Sequence, residues 1–218
     1  MGFSIIPGET FAFARFHVPQ PEPRNHMSLV MTSGPALEPV SLAEAKAHLR
    51  VDGTAEDALI QSLIVTSRLH VEAALGLALI TQSWSYFLDR WPKTARLVLP
   101  LRPVAAVSHV RVWNEEGGAE TLSPSLFLLD GHGMPPRLVA IAGSPPLSPG
   151  RVVNGIEVAF TAGFGAAPGD VPATIRHALL LLVAHWYENR EPVEIGAGVN
   201  AVPAMVSDLL APYRRRRL

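Results

Sequence analysis

The sequence predicts an α+β fold, in which an antiparallel helical core of about four helices carries an inserted antiparallel β unit. Two observations predict it. Segments near both ends of the chain repeat apolar side chains at helical spacing, whereas residues 81–162 alternate polar and apolar side chains in short segments between turns. With 218 residues, 48% of them hydrophobic, the chain is long enough to bury a substantial core.

The first predicted helix spans residues 41–50. Ser41 followed by Glu44 is the pattern of an N-terminal capping box, in which each side chain bonds the backbone of the other residue. Val40 and Ala45 are placed to form a hydrophobic staple around this box. The helix is therefore expected to begin at Ser41.

A second, longer helix is predicted over residues 54–76. Thr54 and Asp57 repeat the capping pattern, apolar residues follow at helical spacing, and Gly76 provides a C-terminal stop. Because the link between the two helices is short, they are expected to pack against each other.

The β unit is predicted over residues 81–162, where the period changes from helical to alternating. Trp84, Tyr86 and Leu88 fall on one face of its first strand. More β-rich segments follow, separated by turn sequences such as Glu-Glu-Gly-Gly at residues 115–118. This tip combines acids with glycines, so we expect it to be exposed to solvent.

Two further helices are predicted over residues 172–189 and 203–211. Pro172 and Pro203 stand at their first turns, where a missing backbone N–H is tolerated. The first of these helices is apolar nearly all round. Such a helix must be covered on several sides, by its own domain or by a neighbouring subunit.

The segments outside the domain at residues 38–213 differ from it in composition. Residues 1–37 are rich in proline and lack a sustained period, so they are predicted to form an extended or flexible arm. Met27 and Met31 within this arm are alternative starts. Residues 214–218 form a basic tail, Arg-Arg-Arg-Arg-Leu.

The sequence gives no support for an enzyme or a metalloprotein. It has no cysteine, so it has neither a disulfide nor a thiolate zinc site, and its eight histidines form no HExxH motif. The glycine-rich segments at residues 162–170 and 196–201 lack the strand-to-helix context of a nucleotide loop. We predict no catalytic, cofactor-binding or metal-binding residues. No apolar run is long enough to span a membrane.

The formal net charge of −1 gives no overall attraction to nucleic acid. Two local features could still bind it: the arginine tail, and the alternating aromatic residues Trp84, Tyr86 and Trp91, on which bases could stack. Packing of these aromatic residues in a core or interface is favoured, because the β unit has few basic residues.

Four segments gain meaning when they are taken in order along the chain. They are PVSLAEAKAHLRVDGTAEDALIQSLIVTSRLHVEAALGLALITQSW, LPLRPVAAVSHVRVWNEEGG, VAFTAGFGAAPGDVPATIRHALLLLVAHWYENRE and VPAMVSDLLAPYR. Together they resemble the head–tail connector (adaptor) family of long-tailed phages and phage-like gene transfer agents. The resemblance covers residues 38–213, and residues 1–37 have no counterpart in it.

The resemblance implies a structural subunit in the neck of a virion or phage-like particle, assembled in the bacterial cytoplasm. Members of the family form a ring of identical subunits, typically twelve, between the portal protein and the head-closure (stopper) or tail protein. DNA passes through the lumen of the ring. Neither a cofactor nor a membrane is implied.

Two groups of residues are candidate contact sites under this resemblance. The helix over residues 172–189 is expected to lie at the interface between subunits, and the tail with the apolar residues before it is expected to bind the portal. The alternative interpretation is a nucleic-acid-binding module of a phage particle that acts through the arginine tail. The interface candidates are Leu179, Leu182, Trp186 and Tyr187, and the portal-binding candidates are Leu209, Leu210, Tyr213, Arg214, Arg215, Arg216 and Arg217.

Overall fold

The computed structural model describes residues 26–141, 148–189 and 203–214. Within them, four α-helices and eight β-strands form an α+β fold, as the sequence predicts, and every pair of neighbouring strands is antiparallel. The helices are α1 (Leu42–Leu49), α2 (Asp57–Leu75), α3 (Ala173–Glu188) and α4 (Ala204–Leu210). The strands are β1 (Met27–Ser33), β2 (Gln82–Leu88), β3 (Arg96–Val98), β4 (Val104–Trp113), β5 (Ala119–Leu122), β6 (Phe127–Asp130), β7 (Arg137–Ala140) and β8 (Ile156–Ala162).

Helix α1 begins at the predicted capping box. The Ser41 hydroxyl accepts a hydrogen bond from the Glu44 backbone N–H at 3.2 Å, and the Glu44 carboxylate accepts one from the Ser41 backbone N–H at 2.8 Å. This backbone hydrogen bond lowers the pKa of Glu44 and outweighs the opposing effect of desolvation. Val40 and Ala45 are both buried in the adjoining core.

Helix α2 begins later than predicted, and the expected capping box at Thr54 is wrong. The helix starts at Asp57, and Glu56 before it makes no side-chain capping bond. The Thr54 backbone oxygen accepts a hydrogen bond from Asp57 N–H at 3.2 Å. The Asp57 carboxylate pairs instead with Lys46 of α1, at 2.6 Å. The other end is as expected, since Gly76 stops the helix in the left-handed conformation with φ of 64°.

Helices α3 and α4 each begin directly after a proline, Pro172 and Pro203. Proline fixes φ near its helical value and lacks an N–H that would have no intrahelical partner there. The four helices share one apolar core. Its largest fully buried side chains are Ile60, Leu79, Ile80, Ile175, Leu179 and Leu182.

The strands form two sheets. A five-stranded sheet has the order β1-β2-β8-β4-β5, and a three-stranded sheet has the order β3-β7-β6. Buried residues from both sheets belong to a second apolar core, separate from the helical one. Its largest fully buried side chains are Leu88, Leu97, Leu99, Leu138, Ile156 and Phe160.

The end of the predicted N-terminal arm is a strand of the larger sheet. Residues 27–33 pair with β2 along their length, with Leu29 opposite Tyr86 and Met31 opposite Trp84. The prediction that residues 1–37 form an arm outside the domain is therefore wrong for residues 27–33. Residues 1–25 lie outside the described residues.

Candidate interaction surfaces

A buried polar network joins the helical core to the β unit. The Arg68 guanidinium on α2 donates to Glu38 at 2.7 Å and to Glu72 at 2.8 Å. The other oxygen of Glu72 accepts hydrogen bonds from the Leu79 backbone N–H, at 2.8 Å, and from the Gln82 amide, at 2.6 Å. One carboxylate thus ties α2 to the start of β2.

The charges in this network support one another. Burial disfavours the charged form of Arg68, but the hydrogen bond to Glu38 and the negative charges of Glu72 and Glu38 outweigh it, so the pKa of Arg68 is raised. A buried pair of this kind is costly to break, because removing one partner leaves the other charge uncompensated. The network, the Arg68 joint, therefore connects the helical core to the start of the β unit.

A second joint holds the C-terminal end of the described chain. The Arg102 guanidinium, in the loop before β4, donates to the carbonyl oxygens of Leu75 and Tyr213. The Tyr213 hydroxyl lies 2.8 Å from the hydroxyl of Thr174 on α3. Leu210 is buried in the helical core. The chain therefore reaches Arg214 from a fixed position.

The C-terminal end of α3 packs against α2. The Trp186 ring meets the ring of His70 edge-on, with centroids 5.6 Å apart. The Tyr187 hydroxyl donates a hydrogen bond to Glu56 at the start of α2. Both aromatic residues are half-buried, so each keeps part of its surface open to solvent.

A carboxylate is buried on the face of the larger sheet that points away from the β core. Glu157 on β8 accepts a hydrogen bond from the Ser85 hydroxyl at 2.5 Å. Arg111 lies 3.5 Å and His109 lies 3.9 Å from its other oxygen. Ser85 is 72 residues away in sequence, so no local pattern could have indicated this cluster.

The aromatic residues of the first predicted strand pack in the β core. Tyr86 is buried, which raises the pKa of its hydroxyl. Trp84 is partly buried against the same core, and Trp91 packs on Phe127 with ring centroids 5.6 Å apart. These rings are not available together as a stacking platform for nucleic acid, and the packing interpretation is the one that the structure supports.

The tip of the β4–β5 hairpin is open to solvent. Residues 114–118 are all exposed, and Asn114 closes the turn through a hydrogen bond from Gly118 N–H to its side-chain oxygen, at 2.7 Å. Gly117 has φ of 82°, which favours glycine. Glu115 and Glu116 are thus the solvated turn that the sequence predicts.

Within residues 26–141, 148–189 and 203–214, no group of three or more histidine, cysteine, aspartate or glutamate residues is arranged to hold a metal ion. Among the helices of the same residues, none has the length and the apolar composition needed to cross a membrane.

Residues 39–123 match the family model described as phage gp6-like head-tail connector protein. This region runs from the segment before α1 to the end of the β4–β5 hairpin, and so includes Arg68, Glu72 and three of the five strands of the larger sheet. No curated protein sequence is detectably similar to the chain.

Three solved structures resemble nearly the whole fold. A chain from the neck of an empty GTA particle computed with C6 symmetry is 28% identical, with a TM-score of 0.74, and the match covers 88% of this chain and 97% of that one. The predicted resemblance to head–tail connectors is confirmed. A chain from the virion of a native gene transfer agent particle is 27% identical, with a TM-score of 0.72, and covers 87% and 96%. A chain from the neck of a native GTA particle computed with C12 symmetry is 27% identical, with a TM-score of 0.69, and covers 87% and 97%.

The four interface candidates of this connector-like chain occupy two environments. Leu179 and Leu182 lie inside the helical core of their own chain. Trp186 and Tyr187, at the end of α3, are half-buried and contact α2 as described above. The interface role of these residues stays a prediction.

The portal-binding candidates are likewise divided. Leu210 is buried and Leu209 and Tyr213 are half-buried against the helical core of the same chain, whereas Arg214 is exposed. Arg215, Arg216 and Arg217 lie outside the described residues. The apolar candidates thus contact the core of their own chain, and their role toward a portal stays a prediction.

The outward surface of α2 is not among the candidate sites that the sequence predicts. Its exposed residues include Val65 and Leu69, while its charged residues Arg68 and Glu72 are buried. A signal was present, because the helix carries only three charged residues along its length. Helical spacing alone does not show which of them face solvent.

Proposed function

We propose that the chain is a structural subunit of a head–tail connector, without enzymatic activity. Twelve copies form a ring between the portal protein and the head-closure or tail protein, and DNA passes through the lumen. The observation that carries this proposal is the match to a GTA neck chain over 88% of this chain and 97% of the other, at 28% identity. The match therefore extends over both the helical core and the β unit and is not limited to one of them.

The symmetry of the similar structures supports the proposed subunit number. Those necks were computed with C6 and with C12 symmetry. A ring of twelve copies is compatible with both, since a twelvefold ring also has sixfold symmetry. Contacts around a cyclic ring are heterologous, so each copy must present two different surfaces.

The internal joints suit a part that transmits mechanical load. The Arg68 network fixes the helical core to the start of β2, and Arg102 fixes the end of the chain to the loop before β4. A spacer between two large assemblies needs rigidity more than a reactive site. This supports a structural role.

The end of the chain is the proposed contact with the portal. In this proposal, Arg214 to Arg217 pair with acidic groups of the portal. Leu209, Leu210 and Tyr213 hold the chain in place directly before this tail. Each exposed ion pair contributes about 0–1 kcal/mol, so four together matter where one would not. Trp186 and Tyr187 are proposed to lie beside the neighbouring subunit, supported from inside by Leu179 and Leu182.

The experiment deletes the coding sequence for this chain from the genome that encodes the parent particle. The particles that form are then examined by electron cryo-microscopy. We expect filled heads without tails, restored by the full-length chain supplied from a plasmid. Joined tails at normal yield in the deletion strain would contradict the proposal. A shorter deletion, of residues 214–218, tests the tail: fewer joined tails are expected, and an unchanged yield would remove the tail from the proposal.

One observation favours a second candidate function. Residues 214–217 are four consecutive arginines, although the net charge of the chain is only −1. Positive charge is therefore concentrated in this tail. If this point binds DNA, the affinity of the isolated chain will fall steeply with salt. Filter binding with and without residues 214–218 tests it. Equal, weak binding by both proteins would exclude the candidate.

A further inference from the structure

The outward surface of α2 has no charge along most of the helix. Between residues 58 and 74 the exposed side chains are alanine, glutamine, serine, valine, threonine, leucine and histidine. The charged residues in this range, Arg68 and Glu72, are buried. A surface that is meant to stay soluble and unassociated is best given about 25–35% charged residues. At about 1.5 Å per residue, this uncharged face is about 25 Å long.

An apolar groove continues this face toward the N-terminal side of α1. The groove has a volume of about 390 Å³ and is lined by Leu37, Val40, Ile64, Val65 and Pro168, among others. Leu37 is 55% exposed and Val65 is 36% exposed. Leu69, one helical turn beyond Val65, is 51% exposed. Large apolar side chains therefore remain in contact with water on a helix that buries its charged residues Arg68 and Glu72.

We infer that this surface, the exposed residues 58–74 of α2 with the groove at Leu37, is one half of the contact between neighbouring copies of the chain. The inference rests on the ring proposed above, and it names the surface that the ring uses. In a heterologous contact this face meets a different surface of the next copy.

Charge decides among the possible occupants. DNA in the lumen requires lysine or arginine to neutralise its phosphates, and this face has neither. The arginine tail of a neighbouring copy requires acidic groups, and the acidic residue that lines the groove, Glu38, is already paired with Arg68 of its own chain at 2.7 Å. A helix of a second copy requires only small and apolar side chains, which allow the two axes to approach to about 8–10 Å. The face fits a second copy best.

The size of the face predicts how strongly two copies bind. A strip about 25 Å long and about 10–12 Å wide offers a few hundred Å². A stable pair buries about 800 Å² on each partner. Two copies alone are therefore expected to associate weakly, and the contact becomes stable when a ring closes around a template.

The test uses a single introduced cysteine, because the chain has none of its own. The Leu69→Cys variant is labelled with benzophenone maleimide, incorporated into particles and irradiated. We expect a product with twice the mass of the chain that contains two copies of it. A maleimide dye should also label the Leu69→Cys variant at least tenfold more slowly in the particle than in the free chain. Val152→Cys, at a position that is 81% exposed, is the matched control and should keep its labelling rate.

Each other outcome has a defined meaning. A crosslink from position 69 to another neck protein, a crosslink within one copy, or an unchanged labelling rate would overturn the inference. Absence of the chain from the particle neck would instead overturn the proposed function. Leu69→Glu gives a second readout: incorporation into particles should fall at least tenfold while the melting curve of the free chain stays unchanged, and Val152→Glu should incorporate normally. Normal incorporation of Leu69→Glu would also overturn the inference.

Discussion

Helices α3 and α2 distribute their polar and apolar residues in opposite ways. α3 is apolar nearly all round, yet Leu179 and Leu182 are enclosed by the core of their own chain. α2 buries Arg68 and Glu72 and exposes Leu69. The difference teaches that apolar content alone does not identify the helix that meets another chain. What matters is the surface that remains after the chain has packed on itself.

The largest expected effect separates the two helices directly. Leu182→Ala removes a fully buried side chain from α3 and should lower the free energy of unfolding by about 3–4 kcal/mol. Leu69→Ala, on the exposed face of α2, should change it by less than about 0.5 kcal/mol. Urea unfolding of the isolated chain measures both. Equal losses at the two positions would contradict the assignment of the α2 face as solvent-exposed in the free chain.

A smaller loss is expected from the polar interior of α2. Glu72→Ala removes one partner of the buried Arg68 and leaves the Leu79 N–H and the Gln82 amide without their acceptor. We expect the free energy of unfolding to fall by about 2 kcal/mol. Glu116→Ala, at the exposed hairpin tip, is the control and should have almost no effect. If both substitutions are neutral, the joint does not stabilise the fold.

The capping box of α1 is expected to contribute less again, and its contribution depends on pH. Ser41→Ala should cost about 1 kcal/mol near neutral pH. The pKa of Glu44 lies below its ordinary value of 4.5, so its stabilising effect is present above that pH and is lost as the pH falls through the folded-state pKa. Ser41→Ala keeps the backbone hydrogen bond to Glu44 but removes the hydrogen bond from the Ser41 hydroxyl to the Glu44 carboxylate, so that part of the difference from the parent chain should shrink below about pH 4.5. A difference that stays constant from pH 7 to pH 3 would contradict this.

The smallest effect is expected at the hairpin tip, away from both helices. Insertion of Gly-Ser after Gly117 lengthens an exposed turn and should cost about 0.6 kcal/mol or less through loop entropy. Thermal unfolding of the isolated chain checks it. A loss as large as that of Glu72→Ala would show that the tip packs against the rest of the chain.

Local signals account for what the sequence predicts correctly. Ser41 and Glu44 are three residues apart, and Gly76 acts on the turn that it ends, so their effects depend on few neighbours. The alternation around Tyr86 likewise indicates the strand β2, with Tyr86 and Leu88 in the β core. The fold class follows from such signals added along the chain.

Longer-range contacts account for the rest. Asp57 has the right spacing for a box with Thr54, but Lys46 on α1 provides a charged partner at 2.6 Å and the box does not form. The pairing of β1 depends on β2, more than fifty residues later. Glu38 is 30 residues from Arg68, so the burial of that arginine cannot be read from α2 alone.

The hydrogen bonds of Arg102 determine how the chain responds to a pull on its end. The guanidinium bonds the carbonyl oxygens of Leu75 and Tyr213, and the Tyr213 hydroxyl is bonded to Thr174. A force applied beyond Arg214 therefore reaches α2, α3 and the loop before β4 together, instead of unwinding α4 from its last turn. If another protein holds the end of the chain, the tension is therefore shared by α2, α3 and the loop before β4.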